Sequence, residues 1–264
     1  MKFKVSENLL VLGGFSLNKW KFGNNMQTMR LIDIKHSLEE IGNIFRLPID
    51  KAKVVSMEFG RCIIMDYKPK LYFEYLHSNS RYTRLEEPSS LYYKTCKKVL
   101  YFYDKTKEMK NRRKKMKIPL EYQDKNVIRY EIRYLKELAK QFNEAVITAS
   151  KLWDEQFFKK LVYNWESEYL NIQKKPIVDF ETINFTTKSG LRNFLGVIAI
   201  DKLGANALVK DIRERESIGL LTKKQAHDLI VCIDECMKVE LKRSGNDLIE
   251  ELDEKVREAA LCWN

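Results

Sequence analysis

Apolar and polar residues alternate along "NVIRYEIRY", residues 126–134. Val127, Arg129, Glu131 and Arg133 fall on one side, and Ile128, Tyr130, Ile132 and Tyr134 on the other. A period of two is that of a strand whose faces meet different surroundings. "KKVLYFYDK" at 97–105 is equally rich in Val, Leu and aromatic residues and reads as a second strong strand. Before these, "LLVLGGFSLNKW" at 9–20 predicts strand, Gly-Gly turn and strand, and "TMRLIDI" at 28–34 another strand. "AKVVSMEFGRCIIMDY" at 52–67 predicts a long strand with a bulge at Gly60. "HSLEEIGNIFRL" carries Leu38, Ile41, Ile44 and Phe45 at helical spacing ahead of Pro48, and "PKLYFEYLH" predicts a short helix.

From residue 148 the period changes to that of helices. "TASKLWDEQFFKKLVYNWESEYLNIQK" has Leu152, Phe157, Leu161 and Trp165 near one face, with Thr148 as its expected N-cap and Pro176 after its end. "TTKSGLRNFLGVIAIDKLG", "ANALVKDIRERES", "TKKQAHDLIVCIDECMKVELKR" and "GNDLIEELDEKVREAAL" read as further helices, with Gly204 as punctuation. The pattern predicts an α+β fold: a mostly antiparallel sheet with a few helices, followed by an all-helical half. The expected domains are 1–135 and 136–264, packed together. No fixed-period repeat and no low-complexity linker is seen.

Composition adds a partner class. The 264 residues are 44% hydrophobic and 11% aromatic, enough for a real core. The net charge of +11 lies wholly in the first half. Residues 1–135 hold 28 Lys and Arg against 15 Asp and Glu, whereas 136–264 hold 20 against 22. A basic folded half points to a polyanion, most often nucleic acid; solubility is the plainer explanation. The stretch "KTKEMKNRRKKMK" concentrates this charge in Lys105, Lys107, Lys110, Arg112, Arg113, Lys114, Lys115 and Lys117, and is expected as a loop in contact with phosphates. It lacks a hydrophobic anchor, and no apolar run approaches the roughly 18 residues of a membrane span. With no leader pattern at the N-terminus, a cytoplasmic protein without a membrane partner is expected.

The five cysteines are odd in number and widely spaced, which argues against a disulfide framework. Cys232 and Cys236 share a helix face as buried thiols rather than metal ligands, and His36, His77 and His227 stand isolated. Carboxylates on strands carry the sharper chemistry. Glu58 in "SMEFG" and Glu131 in "RYEIRY" each sit between apolar or aromatic neighbours in strand, and on its own face Glu131 lies between Arg129 and Arg133. One explanation is an ion-paired sheet surface. The other is a hard-cation site of Glu58 and Glu131, joined by Asp33 of "LIDIK", with Arg129 and Arg133 holding phosphate.

The stretches "GGFSLNKWKFGNN", "KAKVVSMEFG", "VLYFYDKTKE", "NVIRYEIRY", "LWDEQFFKKLVYNWESEYLNIQK" and "LRNFLGVIAIDKLG", in this order, resemble rolling-circle replication initiators of phages and plasmids. The likeness is strongest to replication proteins of Bacteroidetes-type elements and more distant to filamentous-phage and staphylococcal plasmid initiators. The resemblance implies a mobile-element protein of the bacterial cytoplasm that nicks and rejoins origin DNA, single-stranded or extruded. A tyrosine attacks a phosphodiester, leaving a 5′-phosphotyrosine link and a free 3′-OH. It implies Mg²⁺ or Mn²⁺ at Glu58 and Glu131, and Asp104 and Lys105 of "YDK" near the phosphate. It also admits a homodimer and a host helicase or polymerase as partners. Paired metal-binding histidines are absent, so the carboxylate-only site of the plasmid initiators is the closer pattern. The nucleophile is expected on the helix after the "RYEIRY" strand, as Tyr163 or Tyr169. Against this enzyme stands a non-catalytic DNA- or RNA-binding protein using the same sheet and basic stretch.

Overall fold

The computed structural model describes residues 1–112, 118–175, 177–178, 187–237, 243–244 and 246–263. The strands are β1 (Lys2–Ser6), β2 (Leu9–Gly13), β3 (Met57–Met65), β4 (Thr83–Glu87), β5 (Ser90–Lys94), β6 (Lys98–Asp104), β7 (Asn126–Tyr134), β8 (Ile177–Val178) and β9 (Arg243–Ser244). The helices are α1 (Leu17–Phe22), α2 (Leu31–Phe45), α3 (Pro69–Phe73), α4 (Lys105–Arg112), α5 (Leu138–Gln141), α6 (Glu155–Leu170), α7 (Lys188–Leu203), α8 (Ala205–Ser217), α9 (Lys223–Met237) and α10 (Asn246–Leu261). The class is α+β, with antiparallel sheets in the first half and helices α7–α10 closing the chain.

Five strands form one antiparallel sheet in the order β3-β7-β6-β5-β4, and β1 and β2 pair as a separate hairpin. Alternation in β7 works as the sequence indicates. Ile128, Tyr130, Ile132 and Tyr134 point into the main core with Phe102 and Leu100 of β6 and Ile63 and Met65 of β3. Helix α6 lies on this face through Phe157, Leu161, Trp165 and Tyr169, and α10 adds Leu252 and Val256. Trp165 and Tyr130 lock the two layers reciprocally. The indole Nε1 donates to the Tyr130 carbonyl at 3.2 Å, and the Tyr130 hydroxyl donates to the Trp165 carbonyl at 3.0 Å. Their buried polar atoms are thereby satisfied, so the aromatic mass adds burial without a desolvation penalty.

The compact units are Met1–Lys175 with Asp247–Asn264, and Pro176–Asn246. The expected division at 135/136 falls between β7 and α5, inside the first unit. Within the second unit, Gly196 of α7 meets Cys236 of α9, where an added Cβ would lie 2.6 Å from the Cys236 sulfur; Cys236 is buried as expected, whereas Cys232 is exposed.

Several local expectations need correction. "TMRLIDI" is not a strand; from Leu31 it is the first turn of α2, where Asp33 accepts from the Arg30 backbone N–H at 3.1 Å. Apolar residues at 31, 34, 38 and 41 serve a helix face as well as "LIDI" serves a strand. "FSLNKW" forms α1, capped by Ser16, so β2 pairs with the preceding β1 instead. The basic stretch is helical over Lys105–Arg112 rather than a loop, because Asp104 accepts from the Lys107 N–H at 2.8 Å and starts a helix. Thr148 precedes a short 3₁₀ turn, and Asp154 caps α6. The β3–β7 register runs unbroken through Gly60, so that glycine marks no bulge. It allows close approach instead. An added Cβ would stand 2.3 Å from the Glu131 Cβ and 2.5 Å from the Tyr130 carbonyl oxygen.

Candidate functional site

The second sheet face carries the charge. Strand register sets Leu85, Tyr92, Tyr101, Glu131 and Gly60 side by side across β4, β5, β6, β7 and β3. Glu131 is 3% exposed. One carboxylate oxygen accepts from Arg129 Nε at 2.9 Å; the other accepts from Arg133 Nε at 3.0 Å and from a terminal nitrogen of Arg133 at 2.7 Å. Arg133 Nε also lies 3.3 Å from a carboxylate oxygen of Glu58, whose side chain is 62% exposed. Two carboxylates and two guanidiniums thus form one balanced cluster, buried at Arg129 and open at Glu58.

The fold reinforces these charges unequally. Burial opposes ionisation of Arg129, but Cys62 and Glu131 beside it more than offset this and hold the guanidinium protonated. Glu58 is held above the usual carboxylate range, first by partial desolvation and then by the Glu131 charge, with Arg133, Arg129 and Lys19 acting the other way. A segment between α1 and α2 covers the buried end. The Asn25 carbonyl accepts from Arg129 at 2.7 Å, and Met26 packs with Cys62, Met109, Tyr122 and Val127.

Lys105 lies under the same cover. Its ammonium is wholly buried, donating to Asn25 Oδ1 at 2.8 Å and to Glu108 at 2.5 Å, and it sits 5.7 Å from the Tyr103 ring centre. Burial pulls this ammonium below the ordinary lysine value, against the pull of Glu108. Asp104 is spent on the α4 N-terminus. Lys107 and Lys110 are exposed on α4. The backbone of Arg112 ends the helix, while Arg113, Lys114, Lys115 and Lys117 lie outside the described residues.

The structure brings Glu58, Glu131, Arg129 and Arg133 together and leaves other expected site residues apart. Asp33 is buried at the N-terminus of α2, where it accepts from Arg30 Nε at 3.3 Å. Burial would raise its carboxyl, but the Arg30 hydrogen bonds and charge prevail and hold it below the usual range. Among the described residues, no three His, Cys, Asp or Glu side chains gather where one ion could bind. With both Glu131 oxygens engaged by arginine, the residues as placed do not fit a three-carboxylate metal site. The tyrosines also separate. Tyr169 is buried in the core and its hydroxyl donates to Asp253 at 2.5 Å, whereas Tyr163 is 72% exposed on α6. Helix α6 covers the Tyr130 face, so Tyr163 and Glu131 belong to opposite sides of the sheet.

Sequence reasoning missed Tyr92, Tyr101, Lys94 and Asn25 at this face. Alternation in "KKVLYFYDK" is enough to set Tyr101 opposite Phe102, and "SLYYK" repeats the pattern for Tyr92 and Tyr93. Nothing local marks Asn25, whose role depends on a contact 104 positions away.

No helix among the described residues is long and apolar enough to cross a membrane. Comparison with curated proteins and with solved structures finds no match. Residues 10–168 match the Phage CRI family model, which describes the N-terminal part of a phage replication-associated protein, a span from β2 through nearly all of α6. The whole five-stranded sheet, its charged face and the exposed Tyr163 lie inside that span. The chain therefore belongs to this replication-associated family of phage replication initiators.

Proposed function

We propose that the protein starts replication by cutting and rejoining one DNA strand through a tyrosine–phosphodiester link. Membership of the phage replication family over residues 10–168 is the observation that carries this role. In the step, a tyrosine oxygen bonds to phosphorus and the bond to the 3′ oxygen breaks. The phenolic proton is transferred, the 3′ oxygen leaves as a hydroxyl, and the 5′ phosphate stays on the tyrosine. Tyr163 is the better of the two expected nucleophiles: it is exposed and lies inside the matched span. Tyr169 falls outside that span and is sealed against Asp253. Exposed Lys107 and Lys110 and the partly exposed Arg133 are available to hold the phosphate backbone. Such a role places the protein with replicating DNA in the bacterial cytoplasm.

A specific observation favours a second role, binding without cleavage. Tyr163 stands across the sheet from Glu131, and arginines already satisfy the Glu131 carboxylate. Incubation with single-stranded DNA of the encoding element, with and without Mn²⁺, separates the two. Nicking predicts a tyrosine-linked oligonucleotide by mass spectrometry, lost in Tyr163→Phe. Binding with no adduct under any condition removes the nicking role.

A further inference from the structure

The cross-strand row through Glu131 carries two partly exposed rings between Leu85 and that carboxylate. Tyr92 of β5 and Tyr101 of β6 stack with ring centres 4.3 Å apart and planes 11° apart. Tyr103 stacks on Tyr101 at 4.6 Å. Cations stand at both ends of the pair: the Lys94 ammonium 4.4 Å from the Tyr92 ring centre, and the Arg133 guanidinium 4.4 Å from that of Tyr101. Beyond Tyr92, Leu85 of β4 continues the row and is 45% exposed. The main core lies on the opposite face, and neither Tyr92 nor Tyr101 belongs to any buried cluster.

A strip of this kind has a defined chemical appetite. Aromatic rings beside cations stack the bases of a nucleotide chain while the cations pair with its phosphates. Lys94 is solvent-exposed, so its ammonium is displaced at little cost, after which it is free to pair with phosphate. Bases in a duplex have their faces covered by their neighbours, whereas unpaired bases offer theirs. We infer that the face of Tyr92 turned away from Tyr101, with Leu85 and Lys94 beside it, is a stacking site for an unpaired base of single-stranded DNA whose chain leads toward Arg133 and Glu131. The inference deepens the proposed function, resting on it only for DNA as the nucleic acid.

The test is fluorescence anisotropy with a labelled oligo-dT and a matched duplex, on the full chain. Tyr92→Ala is expected to weaken oligo-dT binding about tenfold and leave duplex binding within twofold, while Tyr92→Phe, which keeps the ring, binds like wild type. A measurement on the unaltered protein stands beside it: ultraviolet cross-linking to oligo-dT should place the adduct between residues 83 and 104. Tyr92→Ala binding as tightly as wild type, equal loss for duplex and oligo-dT, or cross-links only elsewhere would each overturn the inference. Ring-dependent binding without a tyrosine adduct would remove nicking and leave the stacking site standing. A tyrosine adduct formed despite ring-independent binding would do the reverse.

Discussion

The two faces of the five-stranded sheet are built from alternate residues of the same strands, yet they solve opposite problems. On one face Tyr130, Ile132 and Trp165 bury aromatic surface and satisfy their few polar atoms with backbone partners. On the other, Arg129, Glu131 and Arg133 hold each other in a chain of charge-assisted bonds that opens to solvent at Glu58. The apolar face is stabilised by exclusion of water. The charged face exists at some cost, since burying ion pairs seldom improves on packing hydrocarbon. A charged face kept on an interior strand is thus more easily explained by recognition than by folding.

The strongest test of that contrast removes the acid from the cluster. Glu131→Ala leaves buried Arg129 without its carboxylate and should destabilise the protein by about 3–5 kcal/mol in chemical denaturation. A loss below about 1 kcal/mol would mean that solvent already reaches the cluster. On the opposite face, Tyr169→Phe deletes one hydroxyl from a bond to Asp253 and should cost about 1–3 kcal/mol. An undiminished stability would restore Tyr169 as a free hydroxyl. Smaller again is Asp33→Asn, at about 1 kcal/mol near neutral pH. Because the Asp33 carboxyl is held below its ordinary value of 3.8, its contribution is present above that pH and fades as pH falls through the folded-state value. The wild-type advantage over Asp33→Asn should accordingly vanish in acid, and a pH-independent difference would contradict the cap. Tyr163→Phe should alter stability by less than about 0.5 kcal/mol, since the ring is largely exposed. Its expected effect is loss of the covalent DNA adduct.

How much was legible in the sequence depends on whether the information was local. Strict alternation in "NVIRYEIRY" was enough to separate the Tyr130 face from the Glu131 face, because a strand's period maps directly onto its sides. The same rule misread "LIDI", where four residues fit both periods and only the link between Arg30 and Asp33 decides for helix. The hairpin of β4 and β5 escaped notice because "TRLEEPSSLYYK" mixes charge and turn residues and lacks a clean apolar run. Of the site, the Glu58 and Glu131 neighbourhood followed from reading strands. The burial of Lys105 did not, because it depends on Asn25 and Glu108 closing over an ammonium. Charge counts treat that lysine as surface; packing withdraws it.

Helix α10 has a consequence for the order in which the molecule is completed. Arg61 of β3 donates to the Ala259 carbonyl at 2.6 Å, the Tyr72 hydroxyl donates to Glu251, and Trp263 packs on Phe59 and Trp165. These partners emerge from the ribosome only after residues 176–246, so a nascent chain carrying every strand of the sheet still shows bare aromatic rings. Synthesis of 176–246 therefore sets the interval before those rings gain their cover from α10 and Trp263.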